Sequence, residues 1–301
     1  MKEVVLITGA NGMIAKKLSE NLKPFYQIRF LTRQKKQDNE FEWDVAQGTI
    51  DEAALSGVQH VIHLAGANIA EKSWSEQRKK EILSSRVDSA QLLLKTLKKN
   101  QWTIESFVSA SAVGYYGAVT TGKIFSENDA KGDDFLSDVV AQWEQAADLF
   151  LQEKVAERVV KLRTGVVLSK NGGALPQMLM PTRFFMGTIL GKGQQWMPWI
   201  HEKDICAMYA FSIQNKTMNG VFNACSPMHQ TYEELTRNLA KALKKSVLKI
   251  KIPSFFIRMV FGESAVMLLQ GSRVNSEKII DHGFQFQFSE IDLALKDLLK
   301  K

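Results

Sequence analysis

Three short stretches of this chain carry residue types suited to chemistry on a small organic molecule. Ser109-Ala110-Ser111 runs into Gly114-Tyr115-Tyr116-Gly117, which gathers hydroxyls and phenols around small residues. Hydroxyls of this kind hydrogen-bond a carbonyl or an alcohol, and a phenol relays a proton to or from it. Gly9 and Gly12 follow the apolar run Val4-Val5-Leu6-Ile7-Thr8 and precede Ile14, Leu18 and Leu22, which share one helix face. Strand, glycine turn and helix in that order cradle the pyrophosphate of a dinucleotide. Gly9 allows the tight turn. Gly12 lets the backbone approach the phosphates, whose charge meets the N-terminus of the helix. Ala15 takes the place of a third glycine and is still small enough for close helix–strand packing. Thr8, Gly9, Asn11, Gly12, Met13 and Ile14 are the cofactor contacts expected of this turn.

Leu31-Thr32-Arg33 ends the next apolar stretch. An acid there would bind the adenosine ribose of NAD; a cation suits the 2′-phosphate of NADP. Lys35 and Lys36 add to the positive field. NADP is therefore expected over NAD, with Thr32 and Arg33 as contacts. His63-Leu64-Ala65-Gly66 closes a third apolar run. Small residues at a strand's carboxyl end let backbone lie against a cofactor, so Leu64, Ala65 and Gly66 are assigned to it. Ser109 belongs to the same edge.

The elements that must position these residues alternate. Strand-like runs stand at Val4–Thr8, Ile28–Leu31, His60–Leu64, Phe107–Ala110 and from Val159 towards Leu168. Helical patterns lie between them, at Ser75–Lys99 with Ile82, Val87, Ala90, Leu94 and Leu97 on one side, and around Asp134–Leu151. The fold class predicted is α/β, a Rossmann-type doubly wound parallel sheet with a smaller, mostly helical C-terminal part. Residues 1–172 are expected to form the dinucleotide domain, with 200–225 returning to it through a short strand at Val221–Asn223. Residues 173–199 and 226–301 are expected on the substrate side. Thr231 and Glu234 make a capping box for a helix running to about Leu243. Breaks at Pro253, Gly262, Gly271 and Gly283 divide the helical patterns of the last fifty residues.

Composition narrows the classes. The chain has 301 residues, 45% hydrophobic and 24% charged, enough for a full core. Its first strand begins almost at Met1, which leaves no room for a signal peptide, and no apolar run approaches a membrane span. Cys206 and Cys225 have neither metal-ligand spacing nor a disulfide framework, so no metal is expected and a reducing cytoplasm is the expected location. The formal net charge is +7, with lysines clustered at Lys95, Lys98 and Lys99 and again from Lys241 to Lys251. No nucleic-acid module accompanies them. The expected partner is a small-molecule substrate, with neither nucleic acid nor membrane, and a homodimer is left open.

These residues carry a family resemblance. His63-Leu64-Ala65-Gly66-Ala67-Asn68, Ser84-Ser85-Arg86-Val87, Ser109-Ala110-Ser111-Ala112-Val113-Gly114-Tyr115-Tyr116-Gly117, Gly132-Asp133-Asp134-Phe135 and Arg163-Thr164-Gly165-Val166-Val167-Leu168 are its motifs. Gly191-Lys192-Gly193-Gln194-Gln195-Trp196 and Trp199-Ile200-His201 continue them. The chain resembles the extended short-chain dehydrogenase/reductases of the NAD(P)-dependent epimerase/dehydratase superfamily, and within it the atypical "epimerase family protein" branch. The resemblance implies that Gly9, Gly12, Thr32, Arg33, Leu64, Ala65 and Arg86 touch the cofactor. It implies Ser111 as the active-site serine, with Tyr115 lining the pocket, and His201 and Asp204 near the substrate side.

Two departures qualify what the resemblance implies. The superfamily transfers protons with a tyrosine followed four residues later by a lysine, which lowers the phenol's pKa. None of the five tyrosines here has that lysine, and the helix expected to carry the pair has neither residue type. Where the superfamily often supplies an arginine to a sugar-nucleotide diphosphate, this chain reads Trp196-Met197-Pro198-Trp199, with Arg183 as a candidate replacement. Three readings follow. One is an NADP-dependent oxidoreductase or epimerase on an unknown small molecule, with Ser111, Tyr115, Tyr116, Asp134, Asp138 or Glu144 moving the proton. The alternatives are a non-catalytic NADP-binding sensor or regulator and a nucleoside-diphosphate-sugar epimerase.

Overall fold

The computed structural model describes residues 2–183, 186–245 and 248–300. In chain order its elements begin β1 (Val4–Thr8), α1 (Met13–Leu22), β2 (Gln27–Thr32), β3 (Glu40–Asp44), β4 (Thr49–Ile50), β5 (His60–His63), α2 (Glu76–Lys99) and β6 (Ile104–Ala112). They continue with β7 (Ile124–Phe125), α3 (Phe135–Gln152), β8 (Ala156–Thr164), β9 (Val166–Ser169), β10 (Gly172–Gly173), α4 (Ala174–Arg183), β11 (Met186–Leu190), β12 (Trp199–His201) and α5 (Glu202–Gln214). The chain closes with β13 (Gly220–Ala224), α6 (Tyr232–Ala242), β14 (Leu248–Ile252), α7 (Ser254–Phe261), α8 (Val266–Leu269), β15 (Arg273–Val274), α9 (Glu277–Asp281) and α10 (Ile291–Leu298).

An eight-stranded sheet in the order β13-β8-β6-β5-β1-β2-β3-β4 forms the centre. Its strands are parallel apart from β4, which returns antiparallel along β3. A parallel sheet is covered on both faces, so its strands can be apolar throughout. β1 shows how the pleat divides them: Val5 and Ile7 pack towards Leu18 and Leu22 of α1 and Met208 of α5. Val4 and Leu6 point the other way, to Leu93 and Leu97 of α2 and Phe150 of α3. Chain order runs outward from β1 in one direction and from β5 in the other. The carboxyl ends of β1 and β5 therefore flank the crevice where such sheets bind ligands.

Caps place the helices as the sequence suggests. Ser75 accepts from the Arg78 N–H to start α2. Asp134 and Ser137 form a reciprocal capping box on α3, and Thr231 and Glu234 do so on α6. At the carboxyl end of α5 the buried Arg158 donates to the carbonyls of Ser212 and Ile213, taking up orphan acceptors of the helix terminus, and also to the Met218 carbonyl in the loop beyond it.

Two details differ from the pattern read along the chain. The apolar stretch from Val159 to Leu168 is two strands, not one. It breaks at Gly165, where a Cβ would lie 2.5 Å from the Pro198 carbonyl oxygen, and β9 leaves the main sheet to pair with β12. β3 also escapes the apolar pattern, because Glu40, Glu42 and Asp44 alternate with Phe41 and Trp43 near the sheet's edge.

Two buried imidazoles tie the layers together. His63, fully buried, pairs Nδ1 with the Thr8 hydroxyl at 3.0 Å and Nε2 with the Ser89 hydroxyl at 3.1 Å. Burial lowers its pKa to about 4. His201 stacks on Phe288 at 3.9 Å, accepts the Lys203 N–H, and is likewise lowered to about 4 by burial. Each ring is neutral in the fold and takes up a proton near pH 6.5 once unfolded. The unfolded state thus binds more protons between about pH 4 and 6.5, and stability falls as pH falls through that window. Each histidine contributes at most roughly 1.4 kcal/mol per pH unit. Urea unfolding of wild type and His63→Gln from pH 7 to 4.5 checks this; the variant should show a shallower slope, and an unchanged slope would remove His63 from the account.

Candidate active site

A cleft of about 560 Å³ opens at the carboxyl ends of β1, β5 and β6. Its floor is the glycine turn. Gly9 has a φ of +74°, and a Cβ on it would meet the Leu64 carbonyl oxygen at 3.0 Å, so side chains are excluded by backbone strain and by space. Gly12 is the N-cap of α1, and its N–H returns to the Gly9 carbonyl at 2.8 Å. Met13, Ile14 and Ala15 continue along the cleft wall.

The opposite strand is set by Thr8. Its hydroxyl is fully buried and accepts from the N–H groups of both Leu64 and Ala65, at 2.9 and 3.0 Å. Thr8 does not line the cleft; it holds the Leu64-Ala65 backbone that borders it. Arg86 on α2 fixes the continuation of this loop. Its Nη2 donates to the Ala67 carbonyl at 3.1 Å and its Nη1 to the Ile82 carbonyl at 2.7 Å, while its guanidinium faces the Trp143 ring at 5.0 Å. Burial lowers its pKa to about 10, so it stays cationic at neutral pH. Arg33 extends into solvent with no ion pair or hydrogen bond among the described residues, while neighbouring Thr32 is buried and donates to the Gln34 carbonyl. Asn11 and Gly66 are exposed beside the turn. Ser109 is buried and turns its hydroxyl back to the Ala110 carbonyl, away from the cleft.

Ser111, at the carboxyl end of β6, does line the cleft. Its hydroxyl donates to Glu144 Oε1 of α3 at 2.6 Å. The same carboxylate takes a fork of two bonds from Arg163 of β8, Nε to Oε1 and Nη2 to Oε2, both at 2.8 Å. The third guanidinium nitrogen, Nη1, donates to the Tyr116 hydroxyl at 3.0 Å, which itself donates to Asn223 Oδ1 of β13 at 2.7 Å. Both charged groups are nearly sealed from solvent, with side-chain exposures of 3% and 7%. Burial pulls the Arg163 pKa down, but the hydrogen bonds and charge of Glu144 outweigh it and the net shift is upward. Burial raises the Tyr116 phenol well above its usual range, so it remains protonated.

Tyr115 lies elsewhere. Its ring faces the Arg163 guanidinium, Cζ 3.3 Å from the ring centroid, and it packs at the edge of the small cluster of Tyr116, Phe125, Cys225 and Val274. It is not among the residues lining the cleft, so the geometry gives no support to a phenol relay four residues after Ser111. Asp134 is spent on the α3 cap and the Ala118 N–H, and Asp138 pairs with Lys131 at the surface. Asp204 accepts the N–H groups of Gln287 and Phe288 at 2.8 and 3.0 Å, so with His201 it anchors the C-terminal segment. The Arg183 side chain lies outside the described residues.

Beyond Ser111 the cleft lining is largely apolar, with Trp143, Trp196, Met197, Pro198 and Met267 beside the polar Gln270 and Ser272. Residues 5–225 match the NAD dependent epimerase/dehydratase family. The chain belongs to that family. Residues 252–298 match a domain of unknown function, DUF1731. An epimerase family protein of Staphylococcus aureus (strain NCTC 8325 / PS 47) is 33% identical over 98% of this chain and 99% of its own. The crystal structure of human epimerase family protein SDR39U1 (isoform 2) with NADPH matches with a TM-score of 0.87 at 31% identity, covering 98% of each chain. A nucleoside-diphosphate sugar epimerase from Corynebacterium glutamicum matches with a TM-score of 0.80 at 25% identity, covering 99% of this chain and 58% of its own.

The residue the sequence reading left without a role is Arg163, and Glu144 appeared only as one acid among several. The signal was present. Glu144 sits in the buried stripe of α3 with Val140, Trp143 and Ala147, and Arg163 is a charged residue at a buried position of β8. A charge at a core position needs an opposite partner. Removing one partner of such a pair leaves the other buried and uncompensated, at about 3–5 kcal/mol. Arg163→Met should therefore destabilise the fold by about that amount, and Arg163→Met with Glu144→Leu should recover most of it. Chemical denaturation of the two variants checks this; equal losses in both would mean that the pair is not coupled.

Proposed function

We propose that this chain binds NADP(H) in the cleft and acts on a small, largely apolar secondary alcohol or its carbonyl counterpart, as an oxidoreductase or as an epimerase working through oxidation and reduction. One observation carries the reading: Ser111, inside the cleft, has its only proton committed to Glu144 at 2.6 Å. Both Glu144 oxygens also accept from Arg163, so towards Ser111 the Glu144 side chain is the acceptor. The Ser111 oxygen is thereby left with lone pairs towards the cleft. It accepts a hydrogen bond from a substrate hydroxyl more readily than it donates one to a carbonyl.

The cofactor reading is supported by the glycine turn at the start of α1, by the unpaired cation Arg33 beyond β2, and by the human relative crystallised with NADPH. A nicotinamide bound there supplies or accepts the hydride. The chain's own residues move the proton. In the oxidative direction the substrate hydroxyl proton passes to Ser111 Oγ as the Ser111 proton passes to Glu144 Oε1; reduction reverses both transfers. Trp143, Trp196 and Met197 give the cleft around Ser111 an apolar lining. The missing lysine and the commitment of Tyr115 to Arg163 favour a second reading, cofactor binding without turnover.

NADPH should raise the melting temperature more than NADH at equal concentration, since a ligand at a hundredfold excess over its Kd stabilises by about 2.7 kcal/mol. Arg33→Asp should abolish or invert that preference, and equal shifts for the two cofactors in wild type would sink the assignment. Hydride exchange between NADPH and a panel of alcohols and ketones separates the two readings. Ser111→Ala should lower any turnover by about 10²–10⁴-fold and leave the NADPH shift intact. Full activity in that variant would rule Ser111 out, and no exchange with any compound would favour binding alone.

A further inference from the structure

Helix α7 is amphipathic the wrong way round. A surface helix ordinarily turns charged residues to water and apolar ones to the core. In α7, Ser-Phe-Phe-Ile-Arg-Met-Val-Phe, Ile257 alone is buried. Phe255, Phe256, Met259 and Val260 are 66%, 55%, 64% and 68% exposed. At 100° per residue these four share one contiguous arc of about 140°, bordered by Ile257 on the Val260 side and by Arg258 on the Phe255 side. Proteins rarely leave so many large apolar groups together in water without something to cover them.

Charge identifies the covering surface. Arg258 and Lys192 border one groove with Pro253 and Ser254 at the start of α7, and Lys251 precedes them at the end of β14. All three cations are exposed and none has an ion-pair partner among the described residues. The nearby acid Glu263 is already paired with Lys79 at 2.7 Å. A second copy of the chain is a poor occupant, because a two-fold contact on this helix would set like cations against one another. We propose that α7 docks the protein on an anionic lipid bilayer, with Phe255, Phe256, Met259 and Val260 inserted among the headgroups and Lys192, Lys251 and Arg258 on the lipid phosphates. Short aromatic-rich apolar faces rimmed by Lys and Arg bind membrane surfaces in this way. The attachment is peripheral, since no helix among the described residues is long and apolar enough to cross a membrane. It is independent of what the cleft binds.

The test is sedimentation of the full chain with vesicles of phosphatidylcholine alone or mixed with phosphatidylglycerol, at low ionic strength. Wild type should bind the anionic vesicles and far less to the neutral ones, with binding lost at high salt. Each cation near the surface is worth about fivefold in partition, so Lys192→Gln/Lys251→Gln/Arg258→Gln should weaken it roughly 100-fold. Phe255→Ser/Phe256→Ser/Met259→Ser should abolish it. Phe256→Trp, which keeps the apolar face, should show a blue-shifted emission on anionic vesicles alone. No binding, binding indifferent to lipid charge, an unshifted tryptophan, or self-association in sedimentation velocity that the serine variant removes would each overturn the proposal.

Discussion

The Glu144–Arg163 pair is the interaction on which the cleft end of the molecule depends. It joins α3 to β8 and, through Ser111, Tyr116 and Asn223, reaches β6 and β13 as well. Burying two charges costs more than a simple contact returns, and such pairs are seldom a net source of stability. Here nearly every polar capacity is used: the carboxylate accepts three bonds, and the guanidinium donates through all three nitrogens. The gain is geometric. Ser111 has one proton acceptor within reach, so its hydroxyl has one orientation, and the cleft inherits that direction.

The same economy operates at the cofactor edge. Thr8 is a single hydroxyl in the sheet, yet it binds the His63 ring and two backbone N–H groups of the next strand end. The Leu64 carbonyl is thereby held against Gly9, close enough that no side chain fits between. Arg86 extends the restraint to Ala67. The residues that shape the crevice are thus largely not those that face it, and Thr8 and Ser109 belong to the supporting layer.

This division explains what could be read from the chain. Alternation of apolar runs with helical stripes gave the parallel sheet, because Val4 to Thr8 and Phe107 to Val108 have no polar face to hide. Ser75, Asp134 and Thr231 announced their helices through local bonds that need no tertiary information. Gly9, Gly12 and Ser111 stand in local motifs at strand ends, and the fold brings all three to the wall of one cleft. The Glu144–Arg163 pair was not legible, since its partners are far apart in the chain and periodicity says only that each is misplaced. Sequence spacing says less about Tyr115: it is four residues from Ser111, but the turn after β6 lays its ring against the Arg163 guanidinium, and it is not among the residues lining the cleft. Gly165 divides a strand through contact with Pro198, a neighbour that the linear pattern does not reveal.

Charge in the cleft then bears on the kind of molecule it accepts. Arg86 is the one charged group among the described residues that line it, and it lies on the α2 side, bonded to the Ala67 loop. A dinucleotide brings its phosphates to the glycine turn, where backbone N–H groups and the α1 N-terminus answer the charge. A sugar nucleotide would bring a second diphosphate to the other side, against Trp196, Met197, Pro198 and Met267. Desolvating that anion costs several kcal/mol unless a cation or a set of donors answers it, and Arg273, over the Trp196 ring at 4.7 Å and bonded to His229, is not among the residues that line the cleft. A neutral molecule incurs no such cost. The chain shares its fold with a nucleoside-diphosphate sugar epimerase, while the wall of this cleft beyond Ser111 is apolar.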